Sequence, residues 1–186
     1  MSVAFDKKVI FVGGIHGVGK TTLCRKISKT LSLKHYSASD LILKLKSENI
    51  EKDKKVKNIR LNQNILLESI TRYLNNEEYY LLDGHFCLLN SNEDVTEIPL
   101  DTFKSLGLKA IVVLVDKECE IIKRLANRDS NSYPIKLIEE FQKKEVLYAQ
   151  KVAKILGVRC EIFKGISDID EMLIFINSIL EEQDNV

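Results

Sequence analysis

Gly14, Gly17, Gly19, Lys20 and Thr21 fall within the stretch G-G-I-H-G-V-G-K-T-T-L, Gly13 to Leu23, at the spacing of a phosphate-binding loop. The order is glycine, four residues, glycine, lysine, threonine, and each type has a task. The glycines let successive N–H groups turn inward around a polyphosphate. Lys20 adds a mobile positive charge, Thr21 a hydroxyl suited to Mg²⁺, and Thr22 opens a helix whose first amides and dipole favour an anion. With Val18 between them, these are the residues expected to hold a triphosphate and its Mg²⁺. His16 occupies a variable position of the motif and has no assigned task.

Other residues in the chain could complete that chemistry. Asp83 ends an apolar run, Glu78 to Leu82, and precedes Gly84 and His85. A carboxylate at the end of a strand parallel to the first would stand beside Thr21 as a second metal-site oxygen. His85 reads equally as a substrate contact or as part of the turn. Asp40 reads as a helix N-cap after Ser39 and as a ligand position at the carboxyl end of a strand. Arg124 and Arg128 are four residues apart and share a helical face, an arrangement suited to two phosphates in transfer and read alternatively as a solvated face. Gln63 falls in the apolar stripe of its helix, where an amide needs a backbone or ligand partner, and Arg60 lies at the margin of that stripe. Glu145 also falls in an apolar stripe, and Arg124 or Arg128 is its expected partner.

These residues must be carried by strands and helices. Val9 to Val12 reads as a buried strand delivering the loop, and Leu23, Ile27, Thr30 and Leu31 recur at helical spacing after it. Lys34 to Ser37 predicts a short second strand, and about Val56 to Asn75 a long helix with Ile59, Leu66, Ile70, Tyr73 and Leu74 on one face. Asn90 to Glu97 reads as a loop, and Pro99 starts a helical turn reaching Leu106. Ala110 to Val115 is a continuously apolar strand ending at Asp116. A helix with Ile121, Ile122 and Leu125 inward follows, and another runs from Pro134 to about Leu156 with Ile138, Phe141, Tyr148, Val152 and Ile155 inward. Val158 to Phe163 is the last strand, with Gly165 a turn and Ile169 to Leu180 the closing helix. Alternation of this kind predicts an α/β fold, a five-stranded parallel sheet covered by helices on both faces.

At 186 residues the chain suits one domain with a real core. With 28 Lys and Arg against 27 Asp and Glu, the net charge of +1 gives no global pull toward nucleic acid or an acidic membrane. Cys24, Cys87, Cys119 and Cys160 lack any C-x-x-C spacing, which argues for reduced packing thiols. The N-terminus enters the first strand without a signal-like apolar run, and no segment reaches membrane-span length, so a soluble cytoplasmic protein is expected. The Lys-rich segment 47–57 reads as a solvated connection, with a phosphate-steering arm as the alternative.

Taken in order, G-G-I-H-G-V-G-K-T-T-L-C, S-A-S-D-L-I, L-L-D-G-H-F, R-L-A-N-R-D and E-E-F-Q-K-K-E-V-L-Y-A-Q resemble the archaeal-type adenylate kinases and related short P-loop nucleoside-monophosphate kinases. The resemblance covers nearly the whole chain, with only its first motif sharp by itself. It implies a P-loop three-layer sandwich over residues 1–186, ATP with Mg²⁺ on the loop, an acceptor region at about 37–76 and a short lid at about 124–136. It further implies that Asp40 belongs to the acceptor region, that Asp83 and His85 form an Asp-x-His pair, that Arg124 and Arg128 are lid arginines, and that Gly165 borders the adenine. Arg60, Gln63 and His85 join Asp40 as candidate acceptor contacts, and Lys20, Asp83, Arg124 and Arg128 are the candidate catalytic set. Two departures stand out: Asp83-Gly84 continues as His85-Phe86 rather than Phe-Pro-Arg, and Glu145-Val146 stands where an Asn-Arg pair is usual. The leading expectation is phosphoryl transfer from ATP to a nucleoside monophosphate, AMP first. A small-alcohol kinase, with Asp40 or Asp83 as base, and an ATPase switch acting on a protein remain as rivals. No catalytic base is needed for a phosphate acceptor, because it is already an anion.

Overall fold

The computed structural model describes residues 7–48, 59–90, 94–129 and 133–182, with the side chains of Arg60 and Asp129 outside that description. The sheet is built from β1 (Lys8–Gly13), β2 (Lys34–Ser37), β3 (Tyr79–Asp83), β6 (Leu108–Val115) and β7 (Arg159–Lys164), all parallel, in the order β2-β3-β1-β6-β7. Residues Val9 to Val12 and Ile111 to Val113 are almost wholly buried. The continuous apolar runs that predicted central strands are therefore needed on both faces of the sheet.

Helices α1 (Lys20–Leu31) and α7 (Ile169–Glu181) pack together, as do α3 (Ile59–Tyr73), α4 (Leu100–Lys104) and α6 (Ile135–Leu156), with α5 (Glu118–Asp129) against α6 and α2 (Ala38–Glu48) against α3. A single turn of 3₁₀ helix, Gly165–Asp168, leads into α7. No described helix is long and apolar enough to cross a membrane.

Several expectations change. Residues 90–97 are not all loop: β4 (Cys87–Leu89) and β5 (Val95–Glu97) pair as a small antiparallel hairpin, with Cys87 opposite Glu97. Three-residue strands leave too few apolar alternations to be seen in sequence. α2 begins at Ala38, so Asp40 lies inside its first turn and is not the cap. An acid there still suits the positive end of the helix. Ile155 is 49% exposed and leaves the inward stripe of α6 to Ile138, Phe141, Tyr148 and Val152. The predicted start of the long helix at Val56, and most of the Lys-rich 47–57 segment, lie outside the described residues.

Candidate active site

Parallel pairing sets the level of the site. Val12 of β1 and Ser37 of β2 are both in register with Asp83 of β3, so the carboxyl ends of three adjacent strands arrive together. The chain order also reverses here, β3 lying between β1 and β2, and open α/β sheets hold ligands at such a switch point. A cavity of about 610 Å³ opens at this level. Its walls include Gly17, Gly19, Lys20, Thr21 and Thr22 from the loop and α1, Asp83 at the end of β3, and Gly84 and His85 after it.

The loop itself is hollow. Gly19 has φ +104, and a Cβ added there would meet no atom within 4 Å. Space for an anion therefore lies directly over the N-terminus of α1. Lys20 is buried and its ammonium donates to the carbonyls of Gly14 at 2.7 Å and Ile15 at 3.1 Å. Burial lowers its pKa to about 8, while Glu145 and Asp83 oppose that shift. A bound polyphosphate would supply the negative charge that burial withholds.

Asp83 is 4% exposed, and its Oδ2 lies 2.7 Å from His35 Nε2. Cys24 Sγ lies within 4.8 Å of that pair. Burial, followed by the Asp83 charge, pushes the Cys24 thiol well up, which keeps it a protonated packing group. The opposite approach is tight: a Cβ on Gly84 would meet Phe11 Cζ at 2.7 Å, so glycine lets the chain after Asp83 press onto β1. Thr21 and Asp83 both face the cavity and offer a hydroxyl and a carboxylate. Such hard oxygen donors fit Mg²⁺.

His85 is half-buried, hydrogen-bonded to the Gly14 backbone, and its Nδ1, itself shielded from solvent, has no partner. Its pKa falls well below 6.5 through burial, then through the charges of Lys20 and His16. The ring is thus neutral at physiological pH. His16 has a place after all: its ring centroid lies 4.0 Å from that of His85, and both rings line the cavity.

The two arginines are brought to the same cavity but are used differently. Arg124 donates to the Gly17 carbonyl at 3.1 Å and the Val18 carbonyl at 3.3 Å, and pairs with Asp116 at 2.6 Å. Asp116 is held by Gln142, whose amide exchanges two 3.0 Å hydrogen bonds with its backbone. Gly165 sits beyond Asp116, 3.7 Å from its carboxylate as measured from an added Cβ, and is not among the cavity walls. Arg128 is exposed, lines the cavity and also a second one of about 230 Å³, and its charge reaches Lys20 and His85.

Glu145 corrects its expected pairing. It is 1% exposed, and its carboxylate accepts from backbone N–H groups rather than from Arg124 or Arg128. Oε1 accepts from Gly14 and Phe86, each at 2.9 Å, and Oε2 accepts from Cys87 at 2.6 Å. Burial pushes its pKa up, and the three amides pull against that. Charge-assisted hydrogen bonds of about 1.5–3 kcal/mol each offset a burial cost of several kcal/mol. The Gly14 amide is thereby occupied, so Gly14 shapes the loop from outside the cavity walls.

Opposite the loop the cavity is walled by Ser37, Ser39, Asn62 and Gln63, with Ile42, Leu66 and Phe103 as apolar surface. Ser37 and Ser39 hydroxyls are 2.9 Å apart, and Lys46 donates to the Asn62 side chain at 2.8 Å. Gln63, buried in sequence terms as an anomaly, lines this wall. Asp40 is exposed and outside it. The Arg60 side chain lies outside the described residues. Ser37, Asn62 and His35 were not singled out from sequence, and Ser39 was read only as part of a helix cap; Gln63 within the apolar stripe of α3, with Asn62 beside it, was the available signal.

A family model described as AAA domain matches residues 13–142. Among solved structures, a gluconokinase from Sinorhizobium meliloti 1021 matches with TM-score 0.53 and 16% identity, over 97% of this chain and 95% of that one. An uncharacterized protein from Eubacterium ventriosum matches with TM-score 0.51 and 12% identity, over 95% of this chain and 99% of that one. At these identities the likeness is one of fold. No curated protein matches.

Proposed function

The chain belongs to the AAA domain family, and from that footing we propose that it is a P-loop kinase transferring the γ-phosphoryl group of ATP to a nucleoside monophosphate, AMP first among them. The observation that carries the reading is the second wall of the cavity. The cavity lined by Lys20 and Thr21 is also lined by the amides of Asn62 and Gln63, the hydroxyls of Ser37 and Ser39, and the apolar side chains of Ile42, Leu66 and Phe103. Gln63 and Asn62 suit a base edge, and Phe103 and Leu66 suit its faces.

In this reading the residues of the chain align two polyanions and neutralise them. Lys20 and the amides over Gly19 hold the triphosphate, Arg124 fixes the outer side of the loop, and Arg128 faces the group in transfer. Thr21 and Asp83 would hold Mg²⁺, which supplies charge neutralisation at the phosphates when bound. Neutral His85 leaves the electrostatics to these cations. The domain is one unit, with an acceptor region over about 37–76 and a lid over about 124–136, nearer to archaeal-type adenylate kinases than to other short kinases by its Asp-x-His. Its partners are nucleotides, without nucleic acid or membrane, and its four free cysteines fit a reducing, cytoplasmic setting.

A second reading is a small-alcohol kinase. Among the described residues no arginine or lysine of α2 or α3 lines the acceptor wall, which a phosphate acceptor would use. The His35–Asp83 pair would then place a carboxylate to take the hydroxyl proton. The gluconokinase fold neighbour is compatible with this. Coupled assays across AMP, CMP, UMP, GMP, the deoxynucleotides and a panel of sugar acids separate the readings. ADP formation that depends on a nucleoside monophosphate supports the first, dependence on a sugar acid replaces it with the second, and acceptor-independent hydrolysis alone overturns both in favour of an ATPase switch.

A further inference from the structure

Glu145 bonds from behind the cavity to the phosphate loop and to the segment that follows His85. Its residue neighbours along α6, Phe141 and Tyr148, are buried core, so an apolar residue would be the default at this position. Instead its carboxylate takes one amide from the mouth of the phosphate loop, Gly14, and two from the segment directly after His85, Phe86 and Cys87. Those donors lie 131, 59 and 58 residues away in sequence. All three are N–H groups, so the site calls for an acceptor on both oxygens.

We propose that Glu145 is a positioning residue that locks the phosphate loop to the Asp83–His85 turn, setting the distance between the triphosphate seat and the groups that face the acceptor. The core packing of α6 needs no carboxylate, whereas two backbone segments with converging N–H groups need one fixed, doubly accepting anion. The inference rests on Gly14–Thr21 being a triphosphate loop and is independent of which acceptor is used.

The replacement Glu145→Gln keeps the shape but turns one terminus into an NH₂ group, which must face at least one of the three N–H donors. The test compares it with Val152→Ala, a fully buried change on the same helix away from the cavity. MgATP affinity is measured by calorimetry, and melting temperature alongside it, at a temperature where each variant is folded. The expected result is a dissociation constant raised about 10- to 100-fold in Glu145→Gln, as a displaced loop requires. Val152→Ala should lower the melting temperature with affinity near wild type. Equal affinities in Glu145→Gln and wild type, or an equal loss in Val152→Ala, would overturn the positioning role. A wild-type chain that does not bind MgATP would instead overturn the triphosphate reading. If Glu145→Gln does not fold, hydrogen exchange on the wild type decides. The Gly14, Phe86 and Cys87 amides should be protected together without nucleotide, and a freely exchanging Gly14 amide sinks the proposal.

Discussion

At the triphosphate end of the cavity the backbone is held by groups that are themselves buried or doubly bonded. Lys20 sits on the Gly14 and Ile15 carbonyls, Arg124 on those of Gly17 and Val18, and Glu145 on the Gly14 amide. At the acceptor end the polar groups are side chains from β2, α2 and α3, with one serine pair and one lysine–asparagine contact between them. In the proposed reaction the loop would bind through main-chain groups whose geometry tolerates little change, and the acceptor wall through side chains that can be exchanged without moving the backbone. On that reading the two ends carry different kinds of specificity: a fixed one for triphosphate and an adjustable one for the acceptor.

The largest test of this contrast is at Lys20. Lys20→Met should lower turnover by about 10²–10³-fold, the scale of one lost charge donor. The melting temperature should not fall, because an ammonium whose pKa burial has lowered to about 8 is removed. A variant that keeps turnover would dissolve the distinction between the two ends.

Next come the two arginines, which the geometry divides. Arg124→Ala, having lost its hold on the loop carbonyls and Asp116, should raise KM for ATP. Arg128→Ala should lower kcat by about 10²-fold with ATP affinity nearly unchanged. Identical kinetic profiles would show that both arginines serve one end. A smaller effect is expected at Gln63. Gln63→Leu should raise KM for the acceptor about tenfold and leave KM for ATP alone, since a buried hydrogen-bonding partner is lost on one side only.

The smallest effect is on stability. His85 stays neutral in the fold, while in the unfolded chain it takes up a proton below 6.5. The unfolded state then binds more protons, so stability falls as pH drops through 6.5. Thermal melts from pH 7.5 to 5 should show this slope, and His85→Asn should flatten it.

The fold was largely legible because its central strands β1, β3 and β6 are buried along almost their whole length. Val9 to Val12 and Ala110 to Val115 leave no polar alternation, and the phosphate loop gives a register from which the order of elements follows. The β4–β5 hairpin was not legible, since its three-residue strands are too short to show a period. Ile155 at the end of α6 was apolar but outward, where periodicity alone extends a stripe one turn too far. Of the residues that line the cavity, Lys20, Thr21, Arg124 and Arg128 were singled out from spacing and Asp83 from its place at a strand end. His35 was not, because nothing in Lys34 to Ser37 tells which residue will meet a carboxylate on the neighbouring strand.

Glu145 marks the boundary most sharply. Its place in an apolar stripe showed that a partner was needed, and charge alone pointed to an arginine. The partners turned out to be three backbone amides, supplied by chain segments that only the packed sheet brings together. By itself the sequence determined a triphosphate loop between a strand and a helix, because that motif is local and its chemistry belongs to contiguous N–H groups. Only the tertiary structure decided what faces the loop: the His35 hold on Asp83, the pairing of His16 with His85, and the wall of Ser37, Asn62 and Gln63. Those arrangements depend on strand register and helix packing between distant segments, and no spacing along the chain encodes them.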